Sequence, residues 1–231
     1  MRKILLTRVT GVVGSYLLKE LSSESDNDVY CLIRGEDPKK RLRTVYDFLK
    51  INASSNVQVI PGDITRENFG ISDDVLKNEL KNITNIIHCA SSVDLTMPIE
   101  VAHQHTVYPT KQVIQLLEKL PNCKLDYVST VGVNGRLQTP LVEDRVIIKR
   151  DYFNTYEEGK AEAEALLYLC LDKGMKISIH RPSMVVGSSD DGRIISHQVF
   201  FHIVRLLAGF YTKGIQPNLS SFKLDTIPVD F

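Results

Sequence analysis

The sequence predicts an α/β fold: a doubly wound parallel sheet with helices on both faces. Three observations predict it. Short, continuously apolar runs recur along most of the 231 residues, as strands covered on both faces require. Runs with apolar residues at helical spacing separate them, and this alternation gives parallel pairing through right-handed crossovers. The polar residues of most chemical interest stand at the carboxyl ends of the strand runs, where such sheets hold their ligands.

The first strand is KILLT (3–7), and the helical run VVGSYLLKELSSE follows it across the turn TRVTGVVGS. Gly11 and Gly14 of that turn, with Thr10 and Val13 beside them, let the backbone approach a pyrophosphate that the helix N-terminus then holds. VYCLI (29–33) is the second strand, followed by a basic helix, PKKRLRTVYDFLKI, with Pro38 at a favourable first-turn position. Arg34 ends that strand, twenty residues beyond Gly14. An acidic residue there binds a ribose hydroxyl, whereas an arginine accommodates a 2′-phosphate, so NADP is favoured over NAD. Lys39, Lys40 and Arg43 either add to that phosphate site or solvate the helix.

VQVIPGD (57–63) and NIIHCAS (85–91) are the third and fourth strands, and a long helix spans 98–120, closed by Pro121. KLDYVST (124–130) is the fifth strand, a helix opened by YEEGK and ended by Gly174 follows, and KISIHRP (176–182) is the sixth. From Gly187 onward the rhythm is lost. The apolar helix HQVFFHIVRLLAGFY (197–211) either packs beneath further structure or presents Phe200, Phe201, Leu207 and Phe210 as a surface for self-association.

YEEGK sets Tyr156 four residues before Lys160. Positions i and i+4 share a helix face, so both side chains reach one point. A free phenol titrates near about 10 and a neighbouring cation favours its ionised form, which makes this pair suited to proton transfer. Thr130, at the end of the fifth strand, is a hydroxyl that either bonds its own backbone or stabilises a developing oxyanion. Asp63 reads equally as a turn residue after Gly62, and His88 as a core histidine.

Composition excludes several functions. Lysine plus arginine and aspartate plus glutamate both total 28, so no net field draws the chain to nucleic acid or an anionic membrane. The start, MRKILLTRVTGVVG, is not expected to be a signal peptide, since Arg8 breaks its apolar stretch. No run approaches the roughly 18 apolar residues of a membrane span. The four cysteines, Cys31, Cys89, Cys123 and Cys170, lack CxxC spacing and read as reduced thiols of a cytoplasmic protein. His103 and His105, two apart on a helix, do not share a face, so no metal site is expected.

TGVVGS, CLIRG, PGDIT, HCAS, YVSTVGV, YxxxK and HRPSMVVG, in this order and spacing, resemble the extended short-chain dehydrogenase/reductase superfamily. CLIRG, HCASSVDL and the terminal IPVDF resemble its thioester reductases: terminal reductase domains of nonribosomal peptide synthetases, carboxylic acid reductases and fatty acyl-CoA reductases. The resemblance covers nearly the whole chain. It implies a Rossmann-type NADP-binding domain over 1–186 and, over 187–231, the start of a substrate-binding lobe that is largely absent. It further implies that Tyr156 is the acid, that Lys160 lowers its pKa and holds the nicotinamide ribose, and that Thr130 is the third catalytic group. Asp63 and Ile64 would contact adenine, Cys89, Ala90 and Ser91 would line the cofactor, and Pro182 and Ser183 would pass its nicotinamide end.

The implied activity is NADPH-dependent reduction of an acyl thioester, carried on a protein-bound phosphopantetheine or on coenzyme A, to an aldehyde or alcohol. The rivals are a nucleotide-sugar epimerase or dehydratase of the same superfamily, and a catalytically impaired NADP-binding protein. The chain departs from the superfamily pattern at Arg8, which stands at the first glycine of the turn, and at Thr106 and Pro109, which stand at an asparagine and a glycine. Sterics at the Arg8 turn are expected to outweigh the attraction of its charge for phosphate, and so to weaken the cofactor site.

Overall fold

Along the first two strands, odd and even positions divide between two cores. The computed structural model describes residues 1–89, 92–146, 150–210 and 224–231. Leu5 of β1 (Arg2–Thr7) and Tyr30 and Leu32 of β2 (Asn27–Ile33) face one core; Leu6, Val29, Cys31 and Ile33 face the other. The period of two of a strand thus feeds two hydrophobic layers. β3 (Val57–Pro61), β4 (Asn85–His88), β5 (Lys124–Val128) and β6 (Lys176–His180) complete a six-stranded sheet of order β3-β2-β1-β4-β5-β6. All its pairs are parallel.

α1 (Val12–Ser23) and α2 (Pro38–Leu49) cover the second core through Tyr16, Leu18, Leu42, Val45 and Tyr46. α3 (Asp73–Asn78) lies on the other face. There α5 (Tyr108–Glu118) and α6 (Thr155–Asp172) bury Val113, Leu116, Leu117 and Leu167. β1 is flanked by β2 and β4, so the chain reverses its winding there and leaves a crevice at the strands' carboxyl ends. Among the described residues no helix is long and apolar enough to cross a membrane.

The four later strands end sooner than the sequence suggests, because the chain leaves the ladder to build the loops of that crevice. Asp63 N–H donates to Phe69 O at 2.7 Å instead of to a strand, and Thr130 caps a short 3-10 turn over Val131–Asn134. The helix expected over 98–120 is three consecutive pieces: α4 (Ile99–Ala102), a π-helical turn over His103–Val107, and α5. Pro109 explains the break. It has no N–H for the carbonyl of His105, and its ring would clash there, so the ladder widens by a residue just before it.

At the start of α6, the Asn154 side chain accepts the Glu157 N–H at 3.0 Å, and Glu157 reaches back to the Phe153 N–H at 3.1 Å. This reciprocal cap fixes the first turn, which carries Tyr156. Farther along, Glu164 is fully buried and accepts Arg181 Nε and Nη2 at 3.1 and 2.7 Å. Arg181 also donates to Asp144 O at 2.8 Å and Val142 O at 3.0 Å, which ties the loop before α6 to the end of β6.

β7 (Met184–Val186) pairs in parallel with β8 (Thr226–Pro228) in a separate two-stranded sheet. That pair crosses the boundary expected at 186/187. Asp230 fastens it, accepting Ser188 Oγ at 2.7 Å and Ser189 N–H at 2.9 Å. α7 (Val199–Leu207) contains no buried residue, and Phe210 beyond it is 76% exposed. The expected end of this helix, Tyr211, lies outside the described residues.

Candidate cofactor crevice and active site

Two adjoining cavities fill the crevice. The first, about 380 Å³, is lined by Gly11, Val13, Gly14, Cys89, Thr130, Tyr156, Lys160, Pro182 and Ser183. The second, about 480 Å³, is lined by Thr10, Gly11, Arg34, Arg41 and Ile64, and Arg8 and Gly11 border both. Of the described residues named from sequence for the cofactor, Asp63, Lys39, Lys40 and Arg43 border neither. The Asp63 carboxylate accepts the Thr65 N–H at 2.9 Å and the Thr65 hydroxyl at 2.8 Å, the turn role that was its other reading. Burial opposes that charge, but the Thr65 bonds, with help from Arg34 and Arg66, hold the carboxyl below its ordinary range. Ala90 and Ser91 lie outside the described residues.

The turn after β1 is tight. A Cβ at Gly14 would lie 2.3 Å from the Arg8 carbonyl oxygen, so no other residue fits without moving the backbone. Arg8 itself is left-handed, with φ 54°. A non-glycine residue there costs about 1–2 kcal/mol. Its side chain folds onto Gly11, where a Cβ would meet Arg8 Nε, Cγ and Cδ at 2.9, 3.1 and 3.2 Å. α1 begins with Gly11 as an uncapped N-terminus and has no acid in its first turn, so its partial positive charge faces the crevice. The donor set therefore fits a dinucleotide: a helix N-terminus and Arg8 at the junction, with Arg34 and Arg41 in the second cavity.

Arg41 escaped the sequence reading, which named Lys39, Lys40 and Arg43 instead. It is half-buried, whereas those three are exposed. Its Nη1 donates to Arg34 O at 2.6 Å and its Nη2 to Thr10 Oγ1 at 3.4 Å. The signal was helical phase. Leu42, Val45, Tyr46 and Leu49 form the buried face of α2, and Arg41, one turn before Val45, flanks that face on the side of the sheet.

The first cavity gathers Thr130, Tyr156 and Lys160. Ser129 N–H donates to His180 O at 2.7 Å and Val131 N–H to Pro182 O at 3.1 Å, so the ends of β5 and β6 stay together beyond the strands. Thr130 Oγ1 accepts the Gly132 N–H at 3.1 Å, which leaves its own proton free to donate. Burial raises the Tyr156 phenol above its ordinary pKa, and Thr130, then the charge of Arg8, work in the opposite direction. Without ligand the phenol is thus held above its ordinary range, where the sequence reading expected it lowered.

Lys160 is 2% exposed. Its ammonium donates to Val128 O at 2.7 Å and lies 4.8 Å from the centre of the Tyr127 ring. Burial pulls its pKa down to about 7, and Arg8 adds to the fall while Cys89 and Glu164 oppose it. The Cys89 thiol is pushed up to about 12 by burial and stays protonated. His88 is fully buried and stacked on Tyr127 at 5.6 Å, a core histidine as read.

Lys160 gives a stability test. The unfolded chain binds this proton up to about 10.5 and the folded chain only up to about 7. Between those values the unfolded state holds more protons, so folding stability rises with pH. Urea unfolding between pH 7 and 9 is expected to show that rise in the parent chain and a flatter profile in Lys160→Met. Equal slopes would place the depressed pKa elsewhere.

Comparison with known proteins agrees with this fold. Residues 6–231 match the family model described as Male sterility protein, an NAD-binding family. A glycine betaine reductase from Emericella nidulans is 27% identical over 100% of this chain and 19% of its own length. The chain thus spans about a fifth of that relative. The solved terminal R domain from the myxalamid PKS-NRPS biosynthetic pathway is 26% identical, with a TM-score of 0.87 over 100% of this chain and 60% of that one. A UDP-glucuronic acid 4-epimerase from Bacillus cereus, at 21% identity and a TM-score of 0.72 over 99% of this chain and 69% of its own, shares the fold alone.

Proposed function

The chain belongs to the Male sterility protein family, and on that premise we propose that it is an NADPH-dependent reductase of acyl thioesters. The observation that carries this reading is one cavity in which Thr130, Tyr156 and Lys160 meet the glycine turn of the cofactor crevice. Likeness to a nonribosomal terminal reductase domain over the whole of this chain supports it further.

NADPH, when bound, supplies the hydride to the carbonyl carbon. Tyr156 gives its phenolic proton to the carbonyl oxygen, and Thr130 donates a hydrogen bond to that oxygen as charge develops. The product is a hemithioacetal, whose C–S bond breaks to release a thiol and an aldehyde. A second cycle on the aldehyde gives the alcohol. Lys160, held beneath β5 by Val128 O, positions the nicotinamide ribose. Thr10, Gly11, Val13 and Gly14 take the pyrophosphate, Ile64 the adenine, and Cys89, Pro182 and Ser183 the nicotinamide end.

The acyl group would arrive on a carrier-protein phosphopantetheine or on coenzyme A. The four free cysteines fit a reducing cytoplasm, and the exposed face of α7 is the candidate surface for self-association. Stopped-flow oxidation of NADPH with acyl-CoA and acyl-carrier substrates tests the activity. Turnover supports it; cofactor binding without turnover would make the chain an NADP-binding protein instead.

Arg34 and Arg41 converge on the second cavity, where a guanidinium forks onto a phosphate through charge-assisted bonds. NADPH is therefore expected to bind about tenfold tighter than NADH, about 1.4 kcal/mol. Arg34→Ala should remove most of that difference. Equal dissociation constants for the two cofactors in the parent chain would overturn the NADP assignment.

A further inference from the structure

We infer that Arg8, lying across the junction of the two cavities, is a ligand of the cofactor's pyrophosphate; the inference rests on the dinucleotide reading above. A dinucleotide that spans both cavities must pass their junction, which Arg8, Gly11 and Gln198 border. Glycine at position 11 allows close approach of the phosphates, and the Arg8 side chain now lies against that face. The question is whether it leaves as an obstacle or stays as a partner.

Two observations decide for the partner. Arg8 makes no side-chain hydrogen bond or ion pair with any described residue, although its guanidinium is half-buried. The acids that line the first cavity, Glu157 and Asp225, do not pair with it; Glu157 is engaged by the Phe153 N–H and the Asn154 side chain. Its charged neighbours are cationic: Arg34 and Lys160 both act on it or are acted on by it. With the N-terminus of α1 beside them, these groups form a concentration of positive charge that an anion would complete.

Where the Arg8 side chain lies against Gly11 it meets no polar side chain, only dispersion contacts, each individually small. A guanidinium–phosphate contact is charge-assisted and roughly twice as strong as a neutral hydrogen bond. The side chain therefore gains more by following the phosphates than it loses by leaving Gly11. The strain of its left-handed backbone does not enter this comparison, because it is present with and without cofactor. It lowers the stability of the fold and leaves affinity untouched. This reverses the expectation from sequence, which counted strain and obstruction together against binding.

Calorimetric titration of the full chain with NADP⁺ and with 2′-AMP, at low and high salt, tests the assignment in the parent, Arg8→Gly and Arg8→Gln. Both variants are expected to bind NADP⁺ about tenfold more weakly at low salt, with a smaller loss at high salt. 2′-AMP, which has no pyrophosphate, should bind all three alike. Arg8→Gly suits the left-handed turn, and Arg8→Gln keeps most of the side-chain length without charge, so neither result hinges on misfolding. Unchanged or tighter NADP⁺ binding in Arg8→Gly would make Arg8 an obstacle and overturn the inference alone. Loss in Arg8→Gly without loss in Arg8→Gln would overturn the role of charge, and parallel loss of 2′-AMP would make the effect one of crevice shape. A parent chain that binds 2′-AMP and NADP⁺ at no salt concentration would overturn the dinucleotide reading itself.

Discussion

Replacing Tyr156 by phenylalanine is expected to lower kcat by about 10²-fold or more, with NADPH affinity little changed. The ring keeps its place in the first turn of α6, which the Asn154–Glu157 cap fixes independently of the phenol. In the proposed mechanism the variant loses the proton donor and one of the two hydroxyls that stabilise the carbonyl oxygen, each a contribution to the transition state and not to cofactor binding. Lys160→Ala, by contrast, should lower both turnover and NADPH affinity, because that side chain is bonded to Val128 O and, in the proposed mechanism, positions the ribose. Single-turnover rates together with NADPH titration separate the two cases. Normal turnover in Tyr156→Phe would put the catalytic centre elsewhere.

Arg181→Ala is expected to destabilise the fold by about 3–5 kcal/mol, the range for removing one partner of a buried ion pair. Glu164 is fully buried and Arg181 only 11% exposed, so the orphaned carboxylate would have no water to turn to. Arg181 also donates to Asp144 O, Val142 O and the Tyr168 hydroxyl. The loss should therefore reach the loop that packs before α6. Replacing both partners, Glu164→Leu with Arg181→Met, should recover much of the stability, because an apolar pair leaves no uncompensated charge. Urea unfolding of the single and double variants measures this. A loss under about 1 kcal/mol in Arg181→Ala, the range of a surface pair, would show that the pair is solvated.

Most of the architecture was legible because two patterns carry it. Continuously apolar runs separated by stretches with a period near 3.6 specify strands covered on both faces and the helices between them, and TGVVGS, YVST and YEEGK fall where that scheme puts ligands. What the sequence concealed depends on contacts between distant segments. The ammonium of Lys160 is tied to Val128 O, 32 residues away, and no spacing rule shows that burial takes it toward neutrality. Arg41 reaches Thr10 across the top of the sheet. Pro109 was visible, yet the adjustment to it, a π turn before the proline, is one of several a helix can make. Asp63 accepts two bonds from Thr65 on one carboxylate oxygen, a local contact that a motif match does not show.

The central position of β1 has a kinetic consequence. It precedes the other five strands of its sheet in the chain, but one of its two neighbours is β4, and the bonds that stitch them join Lys3 to Thr84, 81 residues apart. Closing a loop of that length must precede any gain from the pairing. The β1–β2–β3 half can assemble early, with one edge of β1 unpaired, while the β4–β5–β6 half waits for its own crossovers. The crevice between the halves is therefore among the last features to form, and refolding should restore secondary structure before it restores nucleotide binding.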